Sequence, residues 1–203
     1  MDLTEAYARF TDNVARVRNL VGLYEFLGAG KPGRRPKQAT DVLRSAVVLL
    51  HAALEEFLRE VSRKGLAASS TESLERIPLT GTGRYPEKFH LGSLAKFRGF
   101  TVDELLQKSV DDHLEYSSFS DPGDVKRVLG AVGLQVDHDW TGLSAMMRRR
   151  HQIVHQADKN PEHGPWGKPR TQLIRQDVVE SWIKAIVALV GEIDHLSREK
   201  SVT

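Results

Sequence analysis

Apolar side chains recur every three or four residues over several long stretches of the chain, which is the pattern of amphipathic helices. The first stretch lies near the N-terminus, and its apolar positions alternate between spacings of four and three. The stripe consists of Leu3, Tyr7, Phe10, Val14, Val17, Val21 and Tyr24. This spacing predicts a long helix that packs along a neighbour, either as a core-facing bundle helix or as a separate coiled coil for a partner.

Two more long helices are predicted, one over about residues 40–64 with Gly65 as its C-terminal stop, and one over about residues 176–197. The apolar face of the helix over residues 40–64 holds Leu43, Ala46, Val47, Leu50, Leu54, Phe57, Leu58 and Val61. The inner face of the helix over residues 176–197 holds Val178, Val179, Trp182, Ile183, Ile186, Leu189, Val190 and Ile193.

His51 lies near the apolar face of the helix over residues 40–64. We interpret it as a half-buried histidine whose hydrogen bonds are satisfied within the protein. Glu55 and Glu56 are expected at the surface, or with one of them turned inward to hold a cation.

Shorter helices are predicted between these long ones, and one of them begins with the capping-box pattern Thr101-Val-Asp-Glu104. The predicted short and C-terminal helices cover about residues 71–76, 101–116, 124–131 and 141–157, with loops at 79–90 and 159–175. No stretch alternates with a period of two. The sequence therefore predicts an all-α bundle with two long N-terminal helices, short middle helices and two C-terminal helices.

Composition narrows the class of protein. The 203 residues include no cysteine, which excludes disulfides, thiolate zinc sites and cysteine nucleophiles. An apolar fraction of 40% suffices for one packed core. The longest uncharged apolar stretch, residues 45–54, is about half of what a membrane span needs, and the N-terminus lacks the features of a signal peptide. We expect one soluble, cytoplasmic domain over residues 1–203, without a membrane partner.

No cofactor is predicted. Gly28-x-Gly30-x-x-Gly33 matches the glycine spacing of a dinucleotide-binding loop. That loop needs a strand before it and a helix beginning within it. Here a long predicted helix precedes the glycines, and Pro32 and Pro36 prevent the required continuation.

The densest group of chemically capable side chains is Arg148-Arg-Arg-His-Gln-Ile-Val-His155, within one predicted helix. At about 100° per residue, Arg148, His151 and His155 share a face. Arg150 lies about 140° around the axis from His155, so only its length lets the guanidinium curl toward the imidazole. The guanidinium of an arginine can donate two parallel hydrogen bonds to phosphate oxygens. A histidine can accept and donate protons at neutral pH. This combination suits chemistry on a phosphodiester.

Two other interpretations fit the same residues. Basic helices that contain histidine are commonly solvated surfaces. His151-Gln-x-x-His155 also differs by one residue from the zinc-hydrolase pattern His-Glu-x-x-His, although Gln152 stands where that pattern has its general base. A metal site would need a third ligand from Glu162 or His163.

The segment Arg150-His-Gln-Ile-Val-His155 resembles the Arg-x(4–6)-His motif of the HEPN superfamily. The wider segment 149–158 resembles the RiboL-PSP type of HEPN domain, and so do residues 41–58 and 119–126. The three blocks occur in the expected order and, with the last helix, span most of the chain. The resemblance therefore supports a HEPN-like helical bundle.

The resemblance implies a metal-independent endoribonuclease that acts by 2′-hydroxyl transesterification, as a toxin or a phage-defence effector. Arg150 and His155 would be the catalytic pair, with His151 as the polar residue after the arginine. HEPN proteins typically form homodimers in which two motif helices build a composite site, and an antitoxin or defence protein would be a further partner. The alternative is a catalytically inactive HEPN module that binds RNA or a protein.

The small net charge of +2 results from basic and acidic segments that nearly cancel each other. Residues 148–175 carry a balance of +5 and residues 28–44 one of +4, whereas residues 101–124 carry −6. We expect RNA to contact the basic part of the chain, with Trp166 either stacking on a base or anchoring its loop. The candidate RNA-binding residues are Arg148, Arg149, Lys159, Trp166, Lys168 and Arg170. Glu55 and Asp158 are assigned supporting roles.

Overall fold

The computed structural model describes residues 1–28, 37–80, 91–156, 158 and 172–200, and within these ranges the chain is helical and contains no strand. The all-α prediction is confirmed. The α-helices are α1 Thr4–Gly28, α2 Lys37–Leu66, α3 Thr71–Leu74, α4 Val102–Glu115, α5 Pro122–Ala131, α6 Thr141–His155 and α7 Gln176–Glu199, with a 3-10 helix Leu91–Phe97 before α4. None of the helices in these ranges has the length and apolar character that crossing a membrane requires.

Helix α2 is the centre of the bundle and contacts α1, α4, α5, α6 and α7. Every apolar position predicted for its inner face is buried. The stripe of α1 packs against this helix and α7, with Phe10 and Val17 almost fully inaccessible and Tyr7 half-buried. The bundle interpretation of α1 is therefore correct, because the same stripe is not available to a separate coiled-coil partner.

Local signals fix the starts of two helices. The Thr101 hydroxyl accepts a hydrogen bond from the Glu104 amide at 3.2 Å, and the Glu104 carboxylate accepts one from the Thr101 amide at 2.7 Å. This is the predicted capping box. At α5 the Asp121 carboxylate caps the Asp124 amide, and Pro122 occupies the first turn. Since proline suits that position, α5 begins two residues earlier than predicted.

Four predicted helices need corrected boundaries. Helix α2 begins at Lys37 and ends at Leu66, so Gly65 lies inside the helix instead of stopping it. The helix predicted for residues 71–76 ends at Leu74, the motif helix ends at His155, and α7 continues to Glu199. The 3-10 helix Leu91–Phe97 was not predicted. Residues 81–90 and 159–171, most of the two predicted loops, lie outside the described residues.

Gly65 is required by close packing of α2 against the end of α5. A Cβ atom at this position would lie 2.6 Å from Cγ1 and 2.7 Å from Cβ of Val132. Gly65→Ala is therefore expected to lower the free energy of unfolding by about 1–3 kcal/mol, because the backbone has to move.

Gly22→Ala is the matched control, since a Cβ there meets nothing within 4 Å. It should stabilise the exposed helix by up to about 1 kcal/mol. Urea denaturation of both variants measures the difference, and equal stability would contradict the packing argument.

Candidate active site

The motif lies on the last turns of α6, where the helix leaves the core. Leu143, Met146 and Met147 bury the inner side of the helix. Arg150 follows Met147 by three residues, so it continues the same buried stripe and its side chain is half-buried. His155 ends the helix on the exposed side. The guanidinium of Arg150 thus starts from the core side of α6 and must extend around the helix to reach solvent.

Arg150 and His155 meet at this exposed end. Nη1 of Arg150 lies 3.4 Å from Nε2 of His155. A guanidinium can only donate hydrogen bonds, so this contact requires an unprotonated Nε2 with a free lone pair. The buried Nε of Arg150 has no hydrogen-bond partner within the described residues. The pair therefore combines a basic imidazole nitrogen with a cation whose donors are not all engaged.

His151 is exposed beside this pair. The rings of His151 and His155 lie 4.8 Å apart between centroids, with an angle of 46° between their planes. Arg148 is also exposed, and it makes no ion pair with any residue that the structure describes. The structure thus brings together Arg150, His151 and His155 at the end of α6. Arg148 lies about two turns before His155 and lines a surface hollow with Thr141, Ser144 and Ala145 instead.

A buried histidine of α2 lies behind Arg150. His51 is only 4% exposed, and its Nε2 lies 3.1 Å from the carbonyl oxygen of Phe119, which must accept the hydrogen bond. Burial lowers the pKa of His51, and the nearby positive charge of Arg150 lowers it further, although Glu55 and the Phe119 carbonyl oppose the shift. His51 is therefore satisfied as predicted, but it is buried more deeply.

Glu55 turns inward, as one of the two interpretations required. Its carboxylate pairs with Arg59 at 2.9 Å and faces Nδ1 of His51 at 3.6 Å. Arg59 also donates to the carbonyl oxygens of Leu114 and Ser117, which fixes the segment between α4 and α5. Glu55 therefore supports the wall behind Arg150 and forms no hydrogen bond or ion pair with Arg150 itself.

The depressed pKa of His51 predicts a loss of stability in acid. The unfolded chain takes up this proton near the ordinary histidine pKa of 6.5, whereas the folded chain resists it. The free energy of unfolding should fall as the pH drops below about 6.5, by at most about 1.4 kcal/mol per pH unit for this residue. His51→Gln keeps a donor for the Phe119 carbonyl without the titration. Urea unfolding at pH 7.5 and pH 5 should show a smaller acid loss in this variant.

His113 should also contribute to the loss of stability in acid, because burial lowers its pKa as well. The wild-type acid loss should therefore be only partly removed by His51→Gln. An identical pH dependence in the variant and the wild type would show that His51 does not titrate differently on folding.

The structure does not support the predicted contact between Arg149 and RNA. Its side chain is 6% exposed instead of facing solvent. Two of its nitrogens contact the Asp158 carboxylate, at 2.7 Å and 2.9 Å, and it also donates to the carbonyl oxygen of Gln172. Burial lowers the pKa of Arg149, Asp158 opposes this shift, and the adjacent Arg44 adds to it. A cation held in this way is not available to a phosphate.

Arg44, in the basic segment 28–44, is also withdrawn from the surface by carboxylate partners, so it adds little to the positive charge that RNA could contact. Its Nε lies 2.5 Å from Asp158, and its Nη1 lies 3.0 Å from Asp41. Asp158 is 2% exposed, so its supporting role is to hold two arginines inside the protein. The predicted RNA-binding residues Lys159, Trp166, Lys168 and Arg170 lie outside the described residues, as do Glu162 and His163.

Arg44 and Gln172 are the site residues that sequence reasoning missed. No sequence signal identified them, because the burial of Asp158 and its pairing with Arg149 appear only in the structure. Arg44 lies 114 positions from Asp158, so no local pattern links the two residues.

Comparison with known proteins agrees with the helical architecture. The model of the RiboL-PSP-HEPN family matches residues 11–197. No curated protein and no solved structure matches the chain.

Proposed function

Because this chain belongs to the RiboL-PSP-HEPN family, we propose that it is a metal-independent endoribonuclease that uses the RNA 2′-hydroxyl as its nucleophile. HEPN domains are often nuclease-like, and they often bind RNA or act as dimers. The single observation that carries the proposal is the contact between Arg150 and His155 at the exposed end of α6. This contact places a proton acceptor beside a permanent positive charge.

The reaction follows from these two groups. Nε2 of His155 takes the proton of the 2′-hydroxyl, and the resulting oxygen attacks the adjacent phosphorus. A bond forms between the 2′-oxygen and phosphorus while the bond to the 5′-oxygen breaks. Arg150 stabilises the charge that grows on the non-bridging oxygens. The leaving 5′-oxygen then receives a proton, so the products are a 2′,3′-cyclic phosphate and a 5′-hydroxyl. His151 is the polar neighbour that contacts the ring of His155.

A homodimer would supply the second proton transfer. One chain offers a single His155, which would otherwise have to remove a proton from one oxygen and deliver another to a second oxygen. Two motif helices related by a two-fold axis bring two such imidazoles together. The exposed Val154 and His151 near the end of α6 provide surface for this contact.

The resemblance of the motif also indicates a biological setting. We assign the enzyme to a toxin–antitoxin or phage-defence system in the cytoplasm, with an antitoxin or defence protein as its partner. The support is the resemblance of the motif alone. The family match over residues 11–197 supports one HEPN-like domain for residues 1–203.

The chemistry has a direct test. Purified protein should cleave RNA in the presence of EDTA and leave 2′,3′-cyclic phosphate ends. A substrate with one 2′-deoxy nucleotide at the cut site should resist cleavage there, because the nucleophile is missing. Cleavage that requires an added divalent metal, or that ignores the 2′-deoxy substitution, would contradict this mechanism.

A catalytically inactive module that binds RNA or a protein is the second candidate. The presence of one His155 per chain favours it, since a monomer lacks a second copy of this residue to act as the acid for the leaving group. This candidate predicts salt-dependent RNA binding, or oligomerisation, with the RNA intact afterwards.

A further inference from the structure

The turn after the motif contains an unusual residue. Asp158 has a φ angle of 54°, which is unfavourable for a residue with a side chain and is tolerated best by Asn and Asp after Gly. Its amide donates to the carbonyl oxygen of Gln152 at 2.9 Å, beside the amide of Gln156 at 3.1 Å. Both hydrogen bonds end on the same carbonyl oxygen, so they close the last turn of α6.

The side chain of Asp158 holds this turn in place. Its carboxylate contacts Arg149 from α6 and Arg44 from α2, and its carbonyl oxygen accepts the Gln172 amide at 2.9 Å. Both arginines also donate to the carbonyl oxygen of Gln172. The end of α6, the start of α2 and the segment before α7 therefore meet at one buried carboxylate.

This arrangement separates two neighbouring arginines. Arg149 is drawn to Asp158 inside the protein, whereas Arg150 extends to His155 at the surface. Without the negative charge, Arg149 and Arg44 would face each other as two buried cations. Repulsion would release Arg149 from the core, and the last turn of α6 would lose the contact that fixes it.

We propose that Asp158 is a positioning residue that orients His155 toward Arg150 by anchoring the last turn of α6 through Arg149 and Arg44. It does not touch the reacting atoms. This inference rests on the proposed nuclease function for its kinetic consequence, but the orientation of His155 can be measured without RNA.

Asp158→Asn is the first test, because Asn keeps the shape and tolerates the positive φ angle but removes the charge. The kcat for RNA cleavage should fall at least tenfold, while KM and the affinity for RNA change less than twofold. Asp177→Asn is the matched control. It removes an Asp–Arg pair with Arg175 at the surface, and it should leave kcat unchanged.

The orientation itself is read from the NMR signals of the histidine rings in the absence of RNA. In Asp158→Asn the ring signals of His155 should move, whereas those of the exposed His195 on α7 should stay. Arg149→Lys keeps the charge but loses the forked contact, so it gives the same readouts if Asp158→Asn does not fold.

The two proposals fail in different ways. If the wild type leaves RNA intact and the His155 signals still move in Asp158→Asn, the nuclease function fails and the positioning role stands. If a folded variant keeps the wild-type His155 signals, Asp158 does not position this residue. A drop in thermal stability with unchanged kcat would also overturn the positioning role, because that result shows a structural contact only.

Discussion

Replacing His155 by Ala is expected to lower the rate of RNA cleavage by about 10²–10⁴-fold. The imidazole is the only group at the exposed end of α6 that contacts Arg150 within the described residues. Loss of a positioned general base typically costs a rate factor of this size. The side chain is exposed, so its truncation should hardly change the stability of the bundle. The measurement is the initial rate on a labelled RNA in EDTA, with thermal unfolding recorded in parallel.

His195→Ala is the matched control for this experiment. His195 is also an exposed histidine near the end of a long helix, and it forms only a surface contact with Glu199. Its removal should leave the cleavage rate within about twofold of the wild type. Equal rates for His155→Ala and the wild type would show that any nuclease activity comes from a contaminant or from another site.

The features that the sequence predicted well depend on short-range geometry. The stripe of α1 and the capping box of α4 are set by residues within one or two turns. The approach of Arg150 to His155 belongs to the same class, because five residues on a helix fix the relation between the two side chains. The resemblance to the HEPN motif identified this candidate pair, and helix geometry showed that the length of the arginine side chain allows the contact.

The features that the sequence missed depend on packing between distant segments. Gly65 looked like a helix stop, but it is small because Val132 lies against it. Arg149 looked like a phosphate contact, because three consecutive arginines suggest an exposed basic surface. Its burial depends on Asp158 and Arg44, and the latter reaches the site from another helix. No periodicity within α6 carries this information.

Arg149 and Arg150 are adjacent, and their substitutions should have opposite consequences. Arg149→Met is expected to lower the free energy of unfolding by about 3 kcal/mol, because it leaves the buried Asp158 with Arg44 alone. In a chain of this length such a loss corresponds to a decrease in Tm of about 6–12 °C. Arg150→Met should change stability by less than about 1 kcal/mol, since its Nε has no partner in the described part of the chain.

The RNA-cleavage activity of the two variants should rank in the opposite order to their stability. Arg150→Met removes the charge that stabilises the non-bridging oxygens, so kcat should fall by about 10²–10³-fold. Arg149→Met, assayed well below its lowered Tm, should lose activity only through the disturbed position of His155. This loss should be smaller than that of Arg150→Met, because Arg150 and His155 are both retained. Thermal unfolding and RNA cleavage measured on the same two preparations give the comparison. If both variants lost activity equally while remaining folded, Arg149 would do more than anchor the last turn of α6. If Arg150→Met were the less stable protein, the division between a structural and a catalytic arginine would be wrong.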